Sequence, residues 1–102
     1  MLASFSIVPV GIGEGLKQYV AEIMKIVDAS GLEYAFGSMQ TTVEGNEEDV
    51  MALILKCHRR IREMAPRVLT HIAIDDREGA SGRIKGKTSE VEDVLRKNLN
   101  RE

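Results

Sequence analysis

This chain of 102 residues lacks several features that small proteins use for stability or chemistry. Its one cysteine cannot form an internal disulfide, so a reducing cytoplasm is the expected compartment. No apolar run approaches the roughly 18 residues that a membrane-spanning helix needs. The first residues also lack the charged start and long apolar stretch of a secretion signal. We therefore expect a cytoplasmic protein with no membrane partner.

The chain also has no large excess of charge of either sign. Lysine and arginine together number 14 and the acidic residues 16, which gives a formal net charge of −2. Proteins that bind nucleic acid usually carry a clear basic excess, so we exclude nucleic acid as a partner. A chain of this length forms one domain, here residues 1–102, and self-association would help it to bury a sheet.

The first half of the chain predicts a strand, a helix and a hairpin. Side chains alternate over residues 2–9, as in a half-buried strand. After a glycine-rich loop, apolar residues recur at helical spacing from about Glu14 to Gly31, and glycine commonly ends helices. Residues 32–37 and 40–44 then predict two short strands joined by a tight turn.

The second half predicts a long helix, a fourth strand and a final helix. Asn46 is a suitable N-cap for a helix whose apolar stripe runs to Met64. Residues 68–75 alternate as a strand, and residues 77–87, rich in glycine and charge, predict a loop. A capping box, with the hydroxyl and carboxylate side chains that begin many helices, then predicts a C-terminal helix. Its capping and apolar residues are Ser89, Glu92, Val91, Val94, Leu95 and Leu99.

This order of elements predicts an α+β protein with a ferredoxin-like βαββαβ sandwich and an extra C-terminal helix. The sheet would have four antiparallel strands with helices covering one face only. The other face would be almost uncharged, and such a face is poorly suited to water, so we expect a dimer or larger assembly. The residues assigned to this open face are Ser4, Ser6, Val8, Val43, Leu69, His71 and Ala73.

Signals for catalysis and for metal binding are weak. Asp75 and Asp76 are adjacent in a strand and would point to opposite faces, which favours a structural role over acid–base catalysis. Cys57 lies on the apolar stripe of the second helix, where burial makes a thiol a poor nucleophile. His58 and His71 have no cysteine or carboxylate neighbours at ligand spacing. We therefore expect no catalytic residue and no metal site.

The glycines after the first strand superficially suggest a phosphate-binding loop. The lysine and hydroxyl residue of a Walker motif do not follow Gly11, Gly13 and Gly15, and Gly15 does not stand at the place that the third glycine of the dinucleotide-binding pattern requires. Kinase or nucleotidase activity is therefore disfavoured. What remains is a weaker interpretation, in which free N–H groups at the start of the first helix face a polar part of a ligand.

Four segments spread over the whole chain share the pattern of a known family. They read SIVPVG at residues 6–11, GLEY at 31–34, MQTTVEG at 39–45 and IDDR at 74–77. In this order and spacing they resemble the thiamine-binding protein family. The resemblance implies a ferredoxin-like fold, assembly into dimers or tetramers through the sheets, and binding of thiamine or its hydroxymethylpyrimidine half.

The expected topology indicates where such a ligand could bind. The first and third strands of a ferredoxin-like sheet are antiparallel neighbours, so the end of the first lies beside the start of the third. An aminopyrimidine needs an apolar slot for its faces and polar groups at its edge. An alternative stays open, in which Tyr34 and Phe36 are only core residues and Thr41 is only a good strand former. The predicted ligand-binding residues are Ser6, Ile7, Tyr34, Met39, Gln40 and Thr41.

The sequence thus predicts a non-enzymatic binding module, a cytoplasmic homodimer or homotetramer that sequesters or senses thiamine or a related pyrimidine. The expected partners are this small ligand and further copies of the chain, with no other cofactor. Two alternatives are a structural or regulatory assembly domain with a different ligand or none, and an enzyme that acts on a small heterocycle.

Overall fold

The computed structural model describes residues 1–13, 15–79 and 81–95. Its strands form one antiparallel sheet in the order β2-β3-β1-β4. Together with the helices, this sheet confirms the predicted α+β class. The elements are β1 (Leu2–Val10), α1 (Lys17–Ala29), β2 (Glu33–Phe36), β3 (Thr41–Glu44), α2 (Glu47–Met64), β4 (Arg67–Asp75) and α3 (Arg83–Leu95).

The central strand β1 shows the predicted alternation. Ala3, Phe5 and Ile7 are buried beneath the helices, whereas Val8 on the opposite face is exposed. Across the ladder Ser6 lies opposite His71, so the predicted position of His71 on the open face is confirmed. The sheet therefore has one face covered by α1 and α2, whereas in the described residues the other face is contacted by the start of α3 at Glu44.

The core lies between this sheet and the apolar stripes of the two long helices. Cys57 is fully buried on α2, and this burial raises the pKa of its thiol to about 11. The interpretation of Cys57 as a core residue is therefore confirmed. The other buried helix residues are Ile23, Val27, Val50, Leu53, Ile54 and Ile61.

Local signals mark the ends of the first two helices. The Asn46 side chain accepts a hydrogen bond from the backbone N–H of Asp49 at 2.8 Å, which confirms the predicted N-cap of α2. Helix α1 ends at Ala29, and Gly31 follows with φ +78°, a conformation that favours glycine. The predicted start of α1 at Glu14 lies outside the described residues, and the helix begins at Lys17.

The assignment of Val43 to the open face is wrong. Val43 is fully buried, because it lies opposite Ala3 in the β1–β3 ladder and directly opposed residues share a face. The open face of β3 carries Thr42 and Glu44 instead, so it holds a charge that the sequence interpretation did not include.

The predicted start of the last helix is also wrong. Helix α3 begins at Arg83, so Ser89 lies inside it and cannot be its cap. Both carboxylate oxygens of Glu44 accept a hydrogen bond from the backbone N–H of Arg83 at 3.0 Å, and one accepts from Ile84 at 3.4 Å. A residue 39 positions away therefore supplies the acceptor for the first turn. Leu99, predicted for this helix, lies outside the described residues.

Because Glu44 accepts these hydrogen bonds, Glu44→Ala should loosen the first turn of α3. We expect faster amide hydrogen exchange at residues 83–86. The free energy of local opening should fall by about 0.5–2 kcal/mol, as for the loss of an ordinary N-cap. The control is Glu33→Ala, which removes a carboxylate directly opposite Glu44 and should leave these amides unchanged. Equal exchange at residues 83–86 in Glu44→Ala and the parent would contradict this assignment.

Candidate ligand site

The sheet contains a notch beside the second half of β1. The β1–β3 ladder ends at the pair Phe5–Thr41, whereas the β1–β4 ladder continues to Val10–Arg67. In the described part of the chain, residues 6–10 therefore have a strand on one side only. We call the open side of this stretch the β1–β3 notch. Backbone N–H and C=O groups that lack a strand partner are strong hydrogen-bonding groups for a ligand.

Two connections lie at the same end of the sheet as the notch. The turn between β2 and β3 is closed by a hydrogen bond from the Gly37 N–H to the Gln40 carbonyl at 3.0 Å. The loop after β1 carries Gly11, Gly13 and Gly15, all with positive φ between 74° and 94°. These left-handed conformations reverse the chain from β1 to α1, and most other residues would adopt them with strain.

Five of the six predicted site residues belong to the segments that border the notch, but they are on both faces of the sheet. Ser6 is half-buried on the open face, whereas Ile7 and Thr41 are buried on the helix face. Met39 and Gln40 precede Thr41 in the turn, and Met39 is 84% exposed. A ligand could meet both faces only by entering the notch in the plane of the sheet.

Tyr34 is placed away from the notch. It lies opposite Val43, and β3 separates its strand from β1. Its hydroxyl donates a hydrogen bond to the Asp28 carboxylate at 2.8 Å, and this bond, helped by the nearby negative charge, raises the pKa of the phenol. In this structure Tyr34 therefore joins β2 to the end of α1.

The Thr41 hydroxyl has a weak partner that sequence analysis did not identify. The side chain is only 6% exposed, and its hydroxyl donates to the sulfur of Met24 at 3.6 Å. A thioether is a poor acceptor, so a ligand nitrogen or oxygen would compete for this donor. Met24 is one of the apolar residues that recur at helical spacing in α1, and this spacing is the sequence signal for its inward position.

His58 and Cys57 lie away from the notch, whereas His71 lies opposite Ser6 on the open face. A ring nitrogen of His58 is 2.6 Å from the Thr70 hydroxyl, and Cys57 is enclosed by the core. Over the ranges that the structure describes, no three metal-ligating side chains come together, and no helix is long and apolar enough to cross a membrane. The notch therefore offers hydrogen bonds and apolar contacts.

Solved structures share this architecture. A protein from Methanocaldococcus jannaschii superposes with a TM-score of 0.82 at 23% identity, over 88% of this chain and 93% of that one. A Thermotoga maritima protein whose proposed role is thiamine biosynthesis or salvage superposes with a TM-score of 0.78 at 26% identity, over 88% and 96% of the two chains. The ferredoxin-like arrangement is confirmed.

Sequence comparison gives the family. A UPF0045 protein from Mycobacterium bovis is 34% identical over 96 residues, which cover 93% of this chain and 94% of the relative. The family model described as "Thiamine-binding protein" matches residues 3–92. The chain therefore belongs to the thiamine-binding protein family.

Proposed function

We propose that the protein binds thiamine or its hydroxymethylpyrimidine half in the β1–β3 notch, without catalysis, as a cytoplasmic homo-oligomer. The observation that supports the site is the one-sided pairing of residues 6–10, in a chain that belongs to this family. The Thermotoga maritima relative, with its proposed thiamine role, supports the choice of ligand.

The notch suits the edge of an aminopyrimidine ring. Apart from Pro9, which has no backbone N–H, this strand edge presents N–H and C=O groups. The ring edge carries an amino donor next to a nitrogen acceptor, so the two can pair as strands do. Ser6 adds a hydroxyl from the open face and Thr41 one from the helix face. Exposed Met39, in the adjoining turn, offers a flexible apolar contact for the ring face.

Titration calorimetry with thiamine, hydroxymethylpyrimidine and thiamine phosphates tests the proposed activity. We expect saturable binding at a fixed stoichiometry and no product. Conversion of a ligand would favour the enzyme alternative instead. The absence of binding at millimolar concentration would favour the assembly-domain alternative, in which the notch residues are ordinary strand positions.

Thr41→Val tests the site, because it keeps the shape and strand propensity while removing the hydroxyl. We expect binding to weaken by about 0.5–1.5 kcal/mol with little change in melting temperature, since only a weak bond to sulfur is lost within the protein. The matched control is Thr42→Val, the same change on the opposite face of β3. Ser6→Leu should block the notch sterically. Parental binding by both Thr41→Val and Ser6→Leu would refute the site.

Leu69→Lys tests self-association through the open face. Val43 does not belong to this face, which carries Glu44 on β3 and Arg67 and Asp75 at the ends of β4. The residues of β1 and of the interior of β4 on this face are small, apolar or uncharged, and Leu69 is 41% exposed there. We expect light scattering at micromolar concentration to show a dimer or larger species for the parent and dissociation or unfolding for the variant, because the interface would enclose an unpaired charge. Leu16→Lys, at a site 49% exposed before α1, is the control. A monomeric parent would contradict self-association.

A further inference from the structure

A groove runs between the two long helices on the side that faces away from the sheet. Ile23 and Val27 of α1 are buried in the core, whereas Ile26 and Ala29, further round the helix, line the groove. Two adjoining cavities of about 540 and 320 Å³ form it, and both are lined by Ile26, Ala29 and Lys56. We call it the α1–α2 groove. Because the core lies between this groove and the sheet, the groove is separate from the β1–β3 notch.

The groove follows the antiparallel packing of α1 on α2. Glu22 and Glu63 line the larger cavity, whereas Ser30 and Asp49 line the smaller one, so earlier residues of one helix lie beside later residues of the other. Between Asp49 and Glu63 the groove covers about 21 Å of α2, at roughly 1.5 Å per residue. Small-molecule sites commonly have volumes of about 300–1,000 Å³, so the groove is large enough for such a ligand.

The acidic side chains of the larger cavity are already neutralised. Glu22 contacts Lys25 at 3.2 Å and Arg60 at 3.3 Å, and Arg60 also contacts Glu63 at 3.1 Å. These ion pairs join the two helices at one end of the groove. They leave neither carboxylate to balance a further cation.

Two further cations of the same cavity are not neutralised. Lys56 and Arg59 both line it, and across the described part of the chain their side chains make no ion pair or hydrogen bond. The chain as a whole has a net charge of −2, so this is a local excess of positive charge. Lys56 lines both cavities and thus lies where the charged part of the groove meets the remainder.

The smaller cavity supplies an apolar floor. Leu32, Ala52 and Leu53 line it together with the two shared apolar residues, and Leu53 is only 5% exposed. Asp49 stands at the far end and accepts a hydrogen bond from the Asn46 side-chain amide at 2.8 Å. A second anionic group on a ligand would be repelled there, so the groove favours one anionic end and one uncharged end.

We propose that the α1–α2 groove binds a small amphipathic anion, a molecule with one carboxylate, sulfonate or phosphate group on an uncharged apolar body. The anionic group lies beside Lys56 and Arg59, and the body lies over Ala29 toward Leu53. Charge complementarity selects the anion, because the two cations have no partner within the described residues. The apolar floor selects the body. No residue of the β1–β3 notch takes part, so this inference is independent of the proposed function.

The fluorescent dye anilinonaphthalene sulfonate is the probe, because it joins one sulfonate to an apolar ring system. We expect saturable binding of one dye molecule per chain, weakened by added salt. Phenylnaphthylamine carries the same rings without the sulfonate. Lys56→Gln and Arg59→Gln should each weaken the sulfonate about two- to fivefold, the range for an exposed ion pair, and leave phenylnaphthylamine unchanged. Lys17→Gln, an exposed position of α1 outside the groove, is the charge control.

Filling the groove gives an independent test. Ala29→Leu places a larger side chain where the two cavities meet and should weaken both dyes at least tenfold. Ala21→Leu, an exposed position of the same helix outside the groove, should weaken neither. Circular dichroism checks the fold of each variant. Ala52→Leu closes the groove from α2 and serves as a second variant if Ala29→Leu does not fold.

Several results would overturn the inference. Saturable binding that is absent at millimolar dye, or that Lys56→Gln and Ala29→Leu leave unchanged, would remove the groove as the site. Displacement of the dye by thiamine would place it in the notch. A stoichiometry that falls as the protein concentration rises would show that a second copy of the chain covers the groove. The inference is supported when the groove variants lose the dye and the two control variants keep it.

Discussion

The nine-residue ladder between β1 and β4 is the interaction on which the rest of the structure depends. It aligns Ala3, Phe5 and Ile7 on one face, where α1 and α2 cover them, and so determines which residues of every other strand are buried. Strand β3 spans less than half of this ladder, and the difference in length produces the β1–β3 notch. Fold and candidate site thus follow from one pairing.

Features encoded by neighbouring residues could be predicted from the sequence. Alternation over residues 2–9, the Asn46 cap and the Gly31 helix end each depend on side chains within a few positions, and each is confirmed. The face of Val43 depends on which residue lies opposite it, and four residues of strand do not encode that register. The start of α3 depends on the distant carboxylate of Glu44, so the local capping pattern at Ser89 was misleading.

The sequence predicted the location of the candidate site better than the arrangement of its side chains. Antiparallel pairing of the first and third strands brought Ser6 near Thr41, but the length mismatch between β1 and β3 is not visible in their separate patterns. Alternation along each strand then puts these two side chains on opposite faces. Tyr34 looked similar to the other candidates in sequence, yet its hydroxyl binds Asp28, a contact that requires the packing of α1 on β2.

The enclosed thiol of Cys57 has a practical consequence. Its raised pKa, about 11, and its full burial leave almost no reactive thiolate while the core is closed. A thiol reagent can therefore modify the protein only during openings that separate α2 from the sheet, and the labelling rate reports how often these openings occur. The chain thus carries its own probe of core opening, at a single position, without any engineered label.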